Sequence, residues 1–142
     1  MRLALAIVSL AFIFVTLAAA TFDTEAGSSA EPRFADSSAQ RVWVSAQFGQ
    51  DGTGWGADAV SQARLALRNL DAELRKSGGS IADVVEITTY HRELSGLGEF
   101  RAVLAEVFGD DIPTWTSVEV TDLVEPEALV EIKATAVLGS GR

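Results

Sequence analysis

The sequence predicts an α+β fold, a mixed sheet with two helices on one of its faces. Three observations predict it. Stretches rich in β-branched and aromatic residues alternate at period two, as strands do. Two other stretches carry an apolar stripe at helical spacing. The order along the chain is strand, helix, strand, helix, strand, strand, with glycine, serine or proline at the junctions.

The first strand is RVWVSAQF, Arg41 to Phe48, with Val42 and Val44 on one face and Trp43 and Ser45 on the other. GQDGTGWG follows as a glycine-rich loop. It has neither G-x-G-x-x-G nor a Lys-Ser/Thr pair, so no phosphate cradle is expected. Ala57 to Lys76 reads as a helix whose stripe is Val60, Ala63, Leu67, Leu70 and Leu74, stopped by Ser77-Gly78-Gly79. Val84 to His91 is the second strand. Gly98 to Phe108 is the second helix, with Phe100, Val103, Leu104, Val107 and Phe108 inward and Gly109 closing it. Pro113 ends the segment before the third strand, Trp115 to Val120. There Trp115, Ser117 and Glu119 share one face, and Val118 and Val120 are expected on the core face. An acidic loop, Asp122 to Glu127, precedes the last strand, ALVEIKATAV from Ala128 to Val137. Glu131 and Lys133 point one way there, and Val130, Ile132, Ala134 and Ala136 the other.

A length of 142 residues suits one domain with one core. The net charge of −9, from 11 Lys+Arg against 20 Asp+Glu, argues against nucleic acid as a partner. Arg64, Arg68, Arg75 and Lys76 lie along one helix and read as its solvated face. The absence of cysteine excludes disulfides, thiolate metal sites and thiol nucleophiles. One histidine, His91, cannot build a histidine-rich metal centre, and Asp110, Asp111, Asp122 and Glu125 lack calcium-loop spacing. No metal is expected.

Residues 1–20 stand apart. Arg2 is followed by an uncharged run to Ala20 that ends in three alanines, the layout of a secretory signal peptide. The run also approaches the ~17–25 residues that span a bilayer, so an uncleaved anchor is the alternative. With a genuine leader the protein is exported, periplasmic or extracellular, or else membrane-anchored; otherwise it is cytoplasmic. Residues 21–40, rich in Ser, Ala and acid, form a linker and first-strand region, and the folded domain is 41–142.

Several side chains invite a chemical reading. Glu131 lies mid-strand on the less apolar face, where it is either a solvated glutamate or a carboxylate that positions a water. Trp115 and Ser117 occupy the less apolar face of their own strand, and the three cluster if those strands pair. Tyr90 is a half-buried strand aromatic or a cleft-rim hydroxyl. His91 is expected at the surface or an interface, because no spacing links it to Ser117 as a catalytic pair.

VVEITTY (Val84–Tyr90), FRAVLAEVFG (Phe100–Gly109), PTWTSVEV (Pro113–Val120) and ALVEIKATAV together resemble the Rid/YjgF family of reactive-intermediate deaminases, formerly the L-PSP endoribonucleases. RVWVSAQ and QARLALRNLDAELRKSGGS extend the resemblance from Arg41 to Leu138. It implies a chorismate-mutase-like fold and a homotrimer around a central barrel, with small-molecule clefts between subunits. Active members hydrolyse enamines and imines such as 2-aminoacrylate and need no cofactor. They grip the substrate carboxylate with an Arg in a P-x-R motif, and a Glu in a VEI motif stands near the water. Here the P-x-R position reads Pro113-Thr114-Trp115, and the Glu is kept as Glu131. Ser117 stands at the frequent Cys, Ser45 is retained, Ala46 replaces a Gly, and Phe34 is the nearest aromatic to the family's N-terminal Tyr. The resemblance therefore assigns Glu131 and Ser117 to catalysis and Trp115, Tyr90, Ser45 and Ala46 to ligand binding. An indole offers one N–H and an apolar face, so it cannot replace a guanidinium clamp. The expected function is binding of a small aromatic or uncharged metabolite. The alternatives are an imine hydrolase of altered specificity using Glu131, and a scaffold tethered to a membrane if residues 3–20 remain.

Overall fold

Residues 39–139 are described in a computed structural model. The leader and most of the linker lie outside the described residues. The chain forms β1 (Gln40–Phe48), a short ribbon of β2 (Gln50–Asp51) and β3 (Gly54–Trp55), α1 (Ala59–Lys76), a 3-10 turn at Ile81–Asp83, β4 (Val84–His91), α2 (Leu97–Phe108), β5 (Thr114–Glu119) and β6 (Val130–Leu138). The main sheet runs β1-β6-β4-β5. β6 pairs antiparallel with β1 and with β4, and β4 pairs parallel with β5, so the sheet is mixed, as expected.

Local chemistry explains the helices. The Asp58 carboxylate accepts from the Ser61 N–H at 2.7 Å, and Ser61 Oγ accepts from the Asp58 N–H at 3.0 Å, which closes a capping box at the start of α1. Arg75 and Lys76 lie in the last turn, where the helix dipole favours cations. Gly78, at φ 83, lets the chain leave the helix while the Gly79 N–H donates to the Leu74 carbonyl. Gly109, at φ 62, ends α2. The expected glycine-rich loop holds the β2–β3 ribbon instead. The Asp51 carboxylate braces it by accepting from the Thr53 N–H and hydroxyl and from Arg68, and these bonds lower its pKa to about 2.

Both helices cover the same face of the sheet. Ala63, Ala66, Leu67, Leu70 and Leu74 of α1 and Phe100, Val103 and Leu104 of α2 pack on Ile87, Val130, Ile132, Ala134 and Ala136. Each fully buried Leu, Ile or Val contributes about 1.5–3 kcal/mol. Three polar residues are buried on this side, Gln62, Thr89 and His91. The Gln62 side chain donates to the carbonyls of Gly56 and Glu127 at 3.1 and 3.0 Å and accepts from the Leu129 N–H at 2.8 Å, so α1 is pinned to the loop before β6. A Cβ at Gly49 would collide with the Gln62 backbone, which explains the glycine there.

Three expectations about faces are corrected. Val107, expected inward on α2, is 37% exposed. Val118 is not a core residue: it is 37% exposed, while Trp115 and Ser117 are half-buried. The parallel register sets this, because Trp115 lies beside Ile87 and Ser117 beside Thr89, and both of those face the helices. His91 is not a surface residue either. It is 5% exposed, because it follows Ile87 and Thr89 on the covered face of β4.

Candidate functional site

The residues singled out by sequence fall into two groups on opposite faces of the sheet. On the covered face, the Trp115 indole N–H donates to Thr89 Oγ1 at 2.9 Å. The same oxygen lies 2.7 Å from His91 Nε2. The Trp115 ring stacks on Phe100 at 5.6 Å between centroids and 25° between planes, and Phe100 meets the edge of His91 at 4.8 Å. Burial lowers the His91 pKa, since a charged imidazole would lose its hydration there. Ser117 lies next to Thr89 in the register. The single indole N–H is thus already committed, and the ring ties the edge strand β5 to α2.

On the open face, Glu131 of β6 lies directly beside Tyr90 of β4. Lys133, two residues on, sets its ammonium 5.8 Å from the centre of the Tyr90 ring. These three side chains, with Val120, Asp122 and Val124, line a pocket of about 220 Å³. A carboxylate, a phenol and an ammonium are therefore gathered around one small volume, with the loop after β5 as its wall. Such a set can orient a water, accept a proton and hold an anionic or polar group.

A third feature lies on β1. The register with β6 slips between Val44 and Gln47, and Ser45 and Ala46 form a bulge. Ala46 has φ 51, in the left-handed region, where a Cβ costs about 1–2 kcal/mol. Ser45 and Ala46 are exposed.

The expected clustering of Trp115, Ser117 and Glu131 does not occur in the chain. β4 separates β5 from β6, and the alternation sends Glu131 to the face opposite Trp115 and Ser117. Glu131 and Tyr90 do come together. Lys133 and the Asp122–Val124 wall were missed as site residues, although the alternation that places Glu131 outward places Lys133 beside it. Thr89, whose hydroxyl accepts from Trp115 and also pairs with His91, carried no signal in the sequence. No group of three or more His, Asp or Glu side chains able to hold a metal ion occurs among the described residues. No helix among them is long and apolar enough to cross a membrane.

Comparison with known proteins adds an independent line. Residues 32–138 match a family model described as Endoribonuclease L-PSP. A RutC family protein of Pyrococcus horikoshii is 35% identical over 56% of this chain and 62% of its own length. A RutC family protein of Drosophila melanogaster is 34% identical over 57% of this chain and 58% of its own. The chain thus spans about six tenths of the length of these curated relatives. Among solved structures, a member of the YjgF/YER057c/UK114 family from Mycobacterium tuberculosis is 37% identical, with a TM-score of 0.63 over 69% of this chain and 79% of its own. RidA from an Antarctic Psychrobacter has a TM-score of 0.66 over 73% of this chain and 85% of its own, and at 24% identity it supports the fold alone.

Proposed function

The chain belongs to the Endoribonuclease L-PSP family, the YjgF group, and from that premise we propose that it binds a small aromatic or uncharged metabolite in clefts between the subunits of a homotrimer. The observation that carries this reading is the split site. Trp115 and Ser117 stand on one face of the sheet, and Glu131, Tyr90 and Lys133 on the other. One subunit cannot close them around a ligand, whereas a neighbouring copy can bring its open face, with its Ser45–Ala46 bulge, against the β5 edge of the first. Exposed apolar side chains support the same assembly: Trp43 is 72% exposed and Val118 37%, both on the open face. Buried apolar area is the usual currency of a permanent interface.

The ligand follows from Trp115. Its N–H is bound to Thr89 and its ring to Phe100, so its free surface is apolar. Losing a charged two-point grip costs about 1.5–3 kcal/mol, or roughly 10- to 100-fold in affinity for a small carboxylate. An aromatic or neutral ligand loses nothing by that exchange.

A second reading is favoured by Glu131 and Lys133 sharing one pocket. There the carboxylate acts as general base on a water that attacks an imine carbon. The reaction turns an imine and water into a carbonyl compound and an amine or ammonia.

Ammonia release from freshly generated 2-iminopropanoate separates the two. The purified protein is expected to be inert and its Trp115→Arg variant active. An active parent that Glu131→Gln silences would install the hydrolase reading instead. Sedimentation velocity tests the assembly, and a monomer would remove the inter-subunit cleft.

A further inference from the structure

On the helix-covered side, away from Glu131, a pocket of about 240 Å³ opens between the first turn of α1, the end of β4 and the start of α2. Val60, Phe100 and Leu129 supply apolar walls, and His91, Arg92 and Glu93 supply the polar ones. One of these groups has an unmet need. Arg92 Nη2 donates to the Pro126 carbonyl at 2.9 Å, while Arg92 Nε is buried with no hydrogen-bond partner among the described residues. A buried N–H without an acceptor is costly, more so on a charged group. Glu93 is exposed, and among the described residues its carboxylate accepts a long bond, 3.4 Å, from Ser95 Oγ. His91 has its Nε2 engaged by Thr89 and closes the inner end.

Since a water takes up about 30 Å³ of liquid, the cavity holds a ligand of roughly eight non-hydrogen atoms. A guanidinium in the wall, an adjacent anion and an apolar surface together match one common chemistry. We propose that this pocket is a second small-molecule site, for a zwitterionic aliphatic α-amino acid, with its carboxylate on Arg92, its ammonium on Glu93 and its side chain against Val60, Phe100 and Leu129. The assignment does not rest on the inter-subunit cleft, because every lining residue comes from one subunit.

The test uses the purified full-length protein and three probes of matched length: L-norvaline, pentanoate and butylamine. Each control lacks one of the two charges. Calorimetry is expected to show norvaline binding at least about 10-fold tighter than either control. Arg92→Lys, which keeps the charge but removes the Nε donor, and Glu93→Gln are each expected to weaken norvaline about 10-fold. Ala59→Trp, at an exposed rim position, fills the pocket and abolishes binding, while Glu131→Gln leaves it unchanged. Retained melting temperatures certify the variants. The proposal is overturned if norvaline does not bind, if pentanoate binds as tightly, or if Ala59→Trp binds norvaline as the parent does.

Discussion

On the covered face of the sheet Ile87, Val130, Ile132 and Ala136 have no exposure at all, whereas on the open face Trp43 is 72% and Val118 37% exposed. On β1 the two kinds of position alternate, with Val44 buried and its neighbour Trp43 exposed. The covered face also seals its polar groups, since Thr89 serves both the Trp115 indole and His91. The open face leaves its ionic groups around an open pocket. Folding of one subunit accounts for the first face. It gains nothing from a tryptophan in water, and the assembly proposed above would cover that side chain.

This contrast can be broken at several points. The largest effect is expected in the covered layer: Leu70→Ala, at a side chain with no exposure, should lower stability by about 3 kcal/mol in urea unfolding. A loss below about 1 kcal/mol would mean that the helices do not seal this face. Thr89→Val preserves shape but strands the Trp115 N–H and the His91 ring nitrogen, and about 2 kcal/mol should go, with the indole fluorescence shifting as its hydrogen bond is lost. Ala46→Gly relieves the left-handed strain at the β1 bulge and should raise stability by about 1 kcal/mol, and an unchanged midpoint would remove the strain argument. Trp43→Ser should change subunit stability by no more than about 0.5 kcal/mol, yet sedimentation should show smaller assemblies.

The contrast also has a pH signature. Burial depresses the folded-state pKa of His91, so the unfolded chain takes up a proton near pH 6.5 while the folded chain resists until lower pH. Stability is therefore complete above about pH 6.5 and declines as pH falls below it. His91→Gln should flatten the profile between about pH 7 and 5, above the window in which Asp51, Asp58 and Glu106, with their lowered pKa values, begin to protonate. A parent profile that is already flat there would place His91 in contact with water.

Both helices were legible because an apolar stripe is a local pattern, visible in Leu67, Leu70 and Leu74 without knowledge of the partner. β6 was legible for the same reason, and with it the outward placement of Glu131. The face of β5 was not. Val118 and Val120 look like core residues to any local rule, and only the parallel register with β4 turns Trp115 inward. That register is a long-range choice that six residues cannot encode. His91 was misjudged because a polar residue in a strand suggests solvent, while its hydrogen-bond partner Thr89 becomes visible only once the covered face of β4 is known. The split of the site across two faces was hidden likewise, because strand adjacency is a property of the whole sheet.

Gln40 pairs with Leu138, so the first long strand closes on the last. The sheet can be completed only by a contact between residues almost a hundred positions apart, and the entropy of that closure falls on the latest step of folding. β4, α2 and β5 can assemble beforehand from nearby contacts. β1 must wait, its edge unpaired, until β6 arrives. During synthesis that wait lasts until the ribosome has released Leu138, which makes β1 the segment most exposed to mispairing with another nascent copy.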